Sequence, residues 1–223
     1  MPIPVAVMGS TETQVIQVRA LLEEEGEDLT SRGDWEGLVI EQSLSTIAAE
    51  DQGAMTALAA SGFRYIKNQT IWDRSRRLPV AGPMNPRQWQ AMKAVFVNGP
   101  YYRFRIRAGH LLVNPIPPAG ASWYFEYVTN QWILDTDGVT TKQYFTADTD
   151  TVRLPETLLL MGLRWRWKKE KGLEYAEDLR TYEAQVSDAL SRDGGKPTLC
   201  MDMASPQSAQ PGVFVPSGSW SLP

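Results

Sequence analysis

The hydrophobic period of this chain changes twice. Apolar residues recur at helical spacing at both ends, and every second position carries one in the middle. A helix places neighbours of one face three or four residues apart, whereas a strand places them two apart. The chain is therefore expected to be α+β. Residues 1–62 and 154–195 are expected to form a helical bundle domain. Residues 63–153 are expected to form an inserted small antiparallel β-rich subdomain, and residues 196–223 an extended C-terminal arm.

In the first region Thr11 and Gln14 have capping-box spacing, followed by Val15, Val18, Leu21 and Leu22 on one helical face. The acidic run Glu23, Glu24, Glu25, Glu27 and Asp28 suits a helix end poorly, and Gly26 and Gly33 mark the expected break. Asp34 fits the N-cap of a second helix carrying Trp35, Leu38, Val39 and Ile47. An Ala-rich third helix is expected over residues 52–60, stopped by Ser61-Gly62.

The middle region alternates. Tyr102, Phe104 and Ile106 point one way, and Arg103, Arg105 and Arg107 the other. Ala108-Gly109 is placed to turn the chain into a strand at 110–114. A Pro-rich loop leads to a third strand at 122–128, with Trp123, Phe125 and Tyr127 on one side. The three strands are expected to form one antiparallel meander. A short helix over 86–95 precedes them, with Trp89, Met92 and Val95 on one face and Pro86 in its first turn. Residues 136–150, rich in Thr, Asp and Gly, read as a surface loop or loose hairpin.

A long helix is expected over 155–191, with Pro155 in its first turn and an apolar stripe of Leu158, Met161, Trp165, Ala176, Leu179, Val186 and Leu190. Gly172 is a bending point, and Gly194-Gly195 ends it. Beyond lie Pro197, Pro206, Pro211, Pro216 and Pro223, which forbid a long helix. Val213, Phe214, Val215 and Trp220 are too apolar for a solvated tail, so they are the expected contact points with a partner.

The chain has 223 residues and net charge -4. A protein that holds nucleic acid through phosphates usually carries a basic balance, so tight DNA or RNA binding is disfavoured. With Cys200 as the single cysteine, no disulfide can form within the chain. No signal peptide is visible, and no apolar run reaches the roughly 18 residues of a membrane helix. A soluble protein made in a cytoplasm, with no membrane partner, is the expectation.

No catalytic cluster stands out. The single histidine, His110, lies in an expected strand, so a His-dependent triad lacks its base. Neither G-x-x-x-x-G-K-[ST] nor G-x-G-x-x-G occurs. Asp135, Asp137, Asp148 and Asp150 could in principle hold a divalent cation, but the further ligands of an EF-hand are missing, and solvated loop acids are the better reading. The expectation is a protein without catalytic, metal or cofactor residues.

Two charged runs rise above this background. Arg164, Arg166, Lys168 and Lys169 interleave with Trp165 and Trp167. Three readings stand for them: a salt-bridged or solvated face with Glu170, Glu174 and Glu177, a protein interface, or a nucleic-acid contact. Arg103, Arg105 and Arg107 form one strand face, either an interface or plain surface, with Glu126 an expected cross-strand partner.

Residues 62–73 (GFRYIKNQTIWD), 82–93 (GPMNPRQWQAMK) and the LPE at 154–156 leading to GLRWRWK at 162–168 resemble segments of tailed-bacteriophage head-to-tail adaptor (connector) proteins. The order of elements over about 11–192 is similar too. The resemblance implies a virion neck protein without cofactors, assembled in the host cytoplasm. It implies a homo-oligomeric ring, commonly of twelve subunits, beneath the portal protein, with the C-terminal segment docked on the portal. It further implies that the β insert faces the tail or nozzle protein and that DNA passes through the channel unread, which an acidic wall favours. Some relatives cleave peptidoglycan, but no residue pattern here carries that activity over. Another neck or tail-completion protein, or a polysaccharide-cleaving virion enzyme, remains an alternative.

Overall fold

A computed structural model of the chain describes residues 6–59, 62–94 and 101–194. The first helix, α1 (Thr13–Arg32), starts after Glu12 and has no side-chain cap, so the Thr11/Gln14 capping box does not form. Nor does the acidic run end it. Arg19 pairs with Glu23, Arg32 with Asp28, and Arg166, from the far end of the chain, reaches Glu24, Glu25 and Asp28. Cations from other turns and another helix neutralise a run that would repel itself in isolation. Gly26 is no break either. It is buried in mid-helix, where an added Cβ would overlap the Trp132 ring.

Residues 34–60 depart furthest from expectation. A 3-10 turn at Glu36–Leu38 leads into strand β1 (Val39–Ser45), and β2 (Asp51–Ala54) runs into one helical turn, α2 (Met55–Leu58). The expected second helix is thus a strand, and most of the third is lost. Gly53 sits at φ +117, a conformation no helix contains. Val39 to Ser45 pairs residue by residue with a distant strand, so tertiary pairing overrides local helical spacing.

The chain continues through β3 (Phe63–Ile66), β4 (Trp72–Asp73), β5 (Leu78–Pro79), α3 (Pro86–Ala94), β6 (Arg103–Arg107), β7 (His110–Asn114) and β8 (Ser122–Thr129). The expected strands at 101–107, 110–114 and 122–128 all form, but not one meander. β6 and β7 join β2 in a sheet of order β2-β7-β6, while β8 pairs with β1, β3 and β4 in a second sheet. The Pro-rich loop between β7 and β8 therefore carries the chain from one sheet to the other. A small third sheet, β10-β9-β11, is formed by β9 (Ile133–Leu134), β10 (Thr141–Lys142) and β11 (Thr151–Val152).

Two cores follow from this arrangement. Trp123, Phe125 and Tyr127 of β8 meet Phe104, Leu111 and Val113 of β6 and β7 between the sheets. Val128, on the opposite face of β8, joins Leu29, Trp35, Trp132, Leu158, Trp165 and Tyr182 in the second core. Strand β8 thus serves both cores through its two faces.

The expected long helix is a hairpin of α4 (Glu156–Glu170) and α5 (Ala176–Arg192). Gly172 at φ +66 ends α4. Its N–H bonds the Lys169 carbonyl at 3.1 Å, and that of Leu173 bonds the Lys168 carbonyl at 2.9 Å, the 5→2 and 6→1 pair of a Schellman cap. α5 then folds back, placing the Tyr182 ring 6.2 Å from Trp165. The fold class is α+β, with antiparallel sheets holding the larger share of the ordered elements.

Candidate interaction surface

Arg103, Arg105 and Arg107 stand on β6 opposite Asn114, Leu112 and His110 of β7. Arg103 and Arg107 are exposed and Arg105 is half-buried. Glu126 is not their partner. It lies in the other sheet, opposite Glu41. Arg103 donates to the Met92 sulfur of α3 at 3.2 Å, which ties this strand to the short helix. His110 Nδ1 and Asp51 lie 2.9 Å apart beside Arg107. The Gly53 N–H, then His110 and Arg107, hold the Asp51 carboxyl below its ordinary range.

The structure makes a wider pattern visible. No Asp or Glu occurs between Asp73 and Glu126, a stretch that carries Arg74, Arg76, Arg77, Arg87, Lys93, Arg103, Arg105 and Arg107. Arg74 pairs with Glu41 and Lys93 with Glu50, both from outside the stretch. Among the described residues no carboxylate pairs with Arg76, Arg77, Arg87, Arg103 or Arg105. Arg76 lies over the ring of Tyr102, the residue before Arg103, at 5.2 Å. The β4–β5 hairpin, α3 and β6 are thus joined into one basic region. The signal of this region in the sequence is an absence of acids rather than a motif of residues that are present.

The basic run on α4 has a different fate. Arg166 is turned inward, its Nε 2.6 Å from Glu25 Oε2, and it also binds Glu24 and Asp28. Glu25 is fully buried and accepts from the Tyr182 hydroxyl. Burial nonetheless pushes the Glu25 carboxyl above its ordinary value against the pull of Tyr182 and Arg166. Lys168 pairs with Asp178 of α5, so the partners are not Glu170, Glu174 or Glu177. Lys169 lies 5.8 Å from the Trp165 ring centre and Lys171 4.4 Å from that of Trp167. Arg164 is exposed. The salt-bridged face is the arrangement of Arg166 and Lys168.

The loop acids staple turns. Asp137 accepts from the N–H groups of Val139 and Thr140, and Asp150 from those of Thr146 and Ala147 and from Lys142 at 2.8 Å. Asp148 takes the N–H of Met8 at 2.8 Å. Lys142 and the two N–H groups hold the Asp150 carboxyl down at about 2. Among the described residues no group of three His, Cys, Asp or Glu is placed to hold a metal, and no helix is long and apolar enough to cross a membrane. Val213, Phe214, Val215, Trp220 and Cys200 lie outside the described residues. In comparisons with known proteins, no protein-family model and no curated protein matches this chain.

Proposed function

We propose that this protein is a structural virion component, a head-to-tail adaptor whose subunits form a ring joining the portal to the tail. The observation that carries this reading is the acid-free basic region of β4–β5, α3 and β6, in which Arg76, Arg77, Arg87, Arg103 and Arg105 have no carboxylate partner among the described residues. Cationic side chains fixed on a rigid sheet without internal partners suit an acidic counter-surface. The rest of this chain carries all 26 of its acids, so a neighbouring subunit offers one. In this reading α1, α4 and α5 belong to a helical bundle that bears the β-rich part as an insert, and residues 196–223 are an arm that docks on the portal. The ring has twelve subunits, its tail side meets the tail or nozzle protein, and DNA passes through unread.

Native mass spectrometry of the full chain, alone and mixed with its portal protein, tests this. A large homo-oligomer in either sample is the expected result. A monomer in both overturns the reading. A subunit located by electron microscopy elsewhere in the tail would identify another neck component instead.

A further inference from the structure

Beside the second core stands Arg153, a half-buried cation with no carboxylate partner among the described residues. Arg153 follows β11, and its position is fixed. Its N–H donates to the Trp132 carbonyl at 2.9 Å, and its own carbonyl lies where a Cβ on Gly37 would approach to 2.8 Å. Arg153 lines a pocket of about 660 Å³ together with Ile40, Leu134, Gly138, Val139, Thr140 and Thr141. Its Nη1 is buried without an acceptor, and the hydroxyl of buried Tyr127, which feels its charge, also lacks a partner.

Arg166 provides the contrast. It too is withdrawn from water, but Glu24, Glu25 and Asp28 surround it. Where a buried guanidinium is structural, this fold supplies carboxylates. At Arg153 it supplies none among the described residues. An uncompensated buried cation is costly, and burial accordingly draws the Arg153 pKa down. Asp137, on the turn that borders the pocket, is already occupied by Val139, Thr140 and the Thr140 hydroxyl. The Thr141 hydroxyl donates to Gln131.

We propose that the Arg153 pocket is a binding site for a carboxylate carried on a short apolar stem. A guanidinium carries paired donors whose geometry matches a carboxylate. One positive charge neutralises one negative charge, whereas a phosphate dianion would bring a second one close to Asp137. Ile40, Leu134 and Val139 give the stem an apolar wall. The carboxylate comes either from a free small acid or from a glutamate side chain of another protein chain. The site stands independently of the ring reading.

The test is a titration of the full-length protein followed by NMR at the Val139 and Thr140 amides and the Arg153 Nε–H. The probes are sodium isovalerate, N-acetylglutamate N-methylamide with its side chain free, neutral isovaleramide, and inorganic phosphate. A saturable shift with a carboxylate, absent with isovaleramide, is expected. Isovalerate binding alone assigns a free acid, and binding of the capped glutamate assigns a protein side chain. Arg153→Met abolishes the shift. Arg153→Lys keeps the charge but loses the fork, and weakens binding by about tenfold; it also serves if the Met variant fails to fold. No saturable shift with either carboxylate, an equal shift with phosphate, or unchanged binding in both variants overturns the proposal.

Discussion

Gly162 and Glu25 meet where α4 crosses α1, so closely that a Cβ on Gly162 would overlap the Glu25 carboxyl carbon. The glycine lets the two helices approach until Arg166, one turn further along α4, reaches the same carboxylate. Tyr182 of α5 closes the group from its other side. Three helices are thus held on one buried charge.

Gly162→Ala is expected to destabilise the protein by about 2 kcal/mol, because the buried carboxylate cannot move away without leaving Arg166 and Tyr182. Arg166→Met is expected to cost about 3 kcal/mol or more by leaving Glu25 buried without its cation. Urea denaturation checks both. Equal stability of the Met variant and the wild type would remove the ion group from the account of the helical layer.

Acid is expected to act on two carboxylates with opposite sign. Asp150 is held at about 2 against an ordinary 3.8, so its contribution is present above pH 3.8 and is lost as pH falls toward 2. Asp150→Asn should flatten that limb of a stability-versus-pH curve. Glu25 is raised above 4.5, so the folded chain takes up its proton first. Its contribution therefore favours folding as pH falls through the folded value toward 4.5, and Glu25→Gln should remove it. Stability curves measured for both variants separate the two.

The β6–β7 turn holds Ala108 at φ +51 and Gly109 at φ +77. Two positive φ values match the twist of a two-residue hairpin, but an alanine in that region is strained by its Cβ. Ala108→Asn is expected to stabilise the fold by about 0.5–1 kcal/mol, read as a higher midpoint in thermal unfolding.

Charge reversal at Arg103 and Arg105 together should weaken subunit association while leaving far-UV circular dichroism unchanged, since neither side chain pairs with a carboxylate among the described residues. Sedimentation velocity against salt concentration checks this. Association through this face should weaken as salt rises. Oligomers of equal stability in the double variant would place the interface elsewhere.

Much of the local structure is legible in the sequence. The alternation at 102–106, the turn at 108–109, the apolar face of 123–127 and the short helix at Pro86 are local signals, and each formed where it was read. Gly172 was legible as a bend but not as a full reversal. The reversal brings Tyr182 against Trp165, a contact across 17 positions that local periodicity does not encode.

The sequence by itself determined the mixed α+β character, the strand faces and the acid-free stretch, because periodicity and charge are written residue by residue. Tertiary structure alone decided which strands share a sheet. Val39 to Ser45 became a strand because β8 offers it seven consecutive backbone pairings and a buried place for Leu44. Tertiary structure likewise decided which cations are neutralised. Arg166 and Arg153 look alike in sequence, but α1 brings carboxylates to the first, and the pocket around the second brings none. Burial and distant pairing depend on the whole chain at once, so a local pattern carries no record of them.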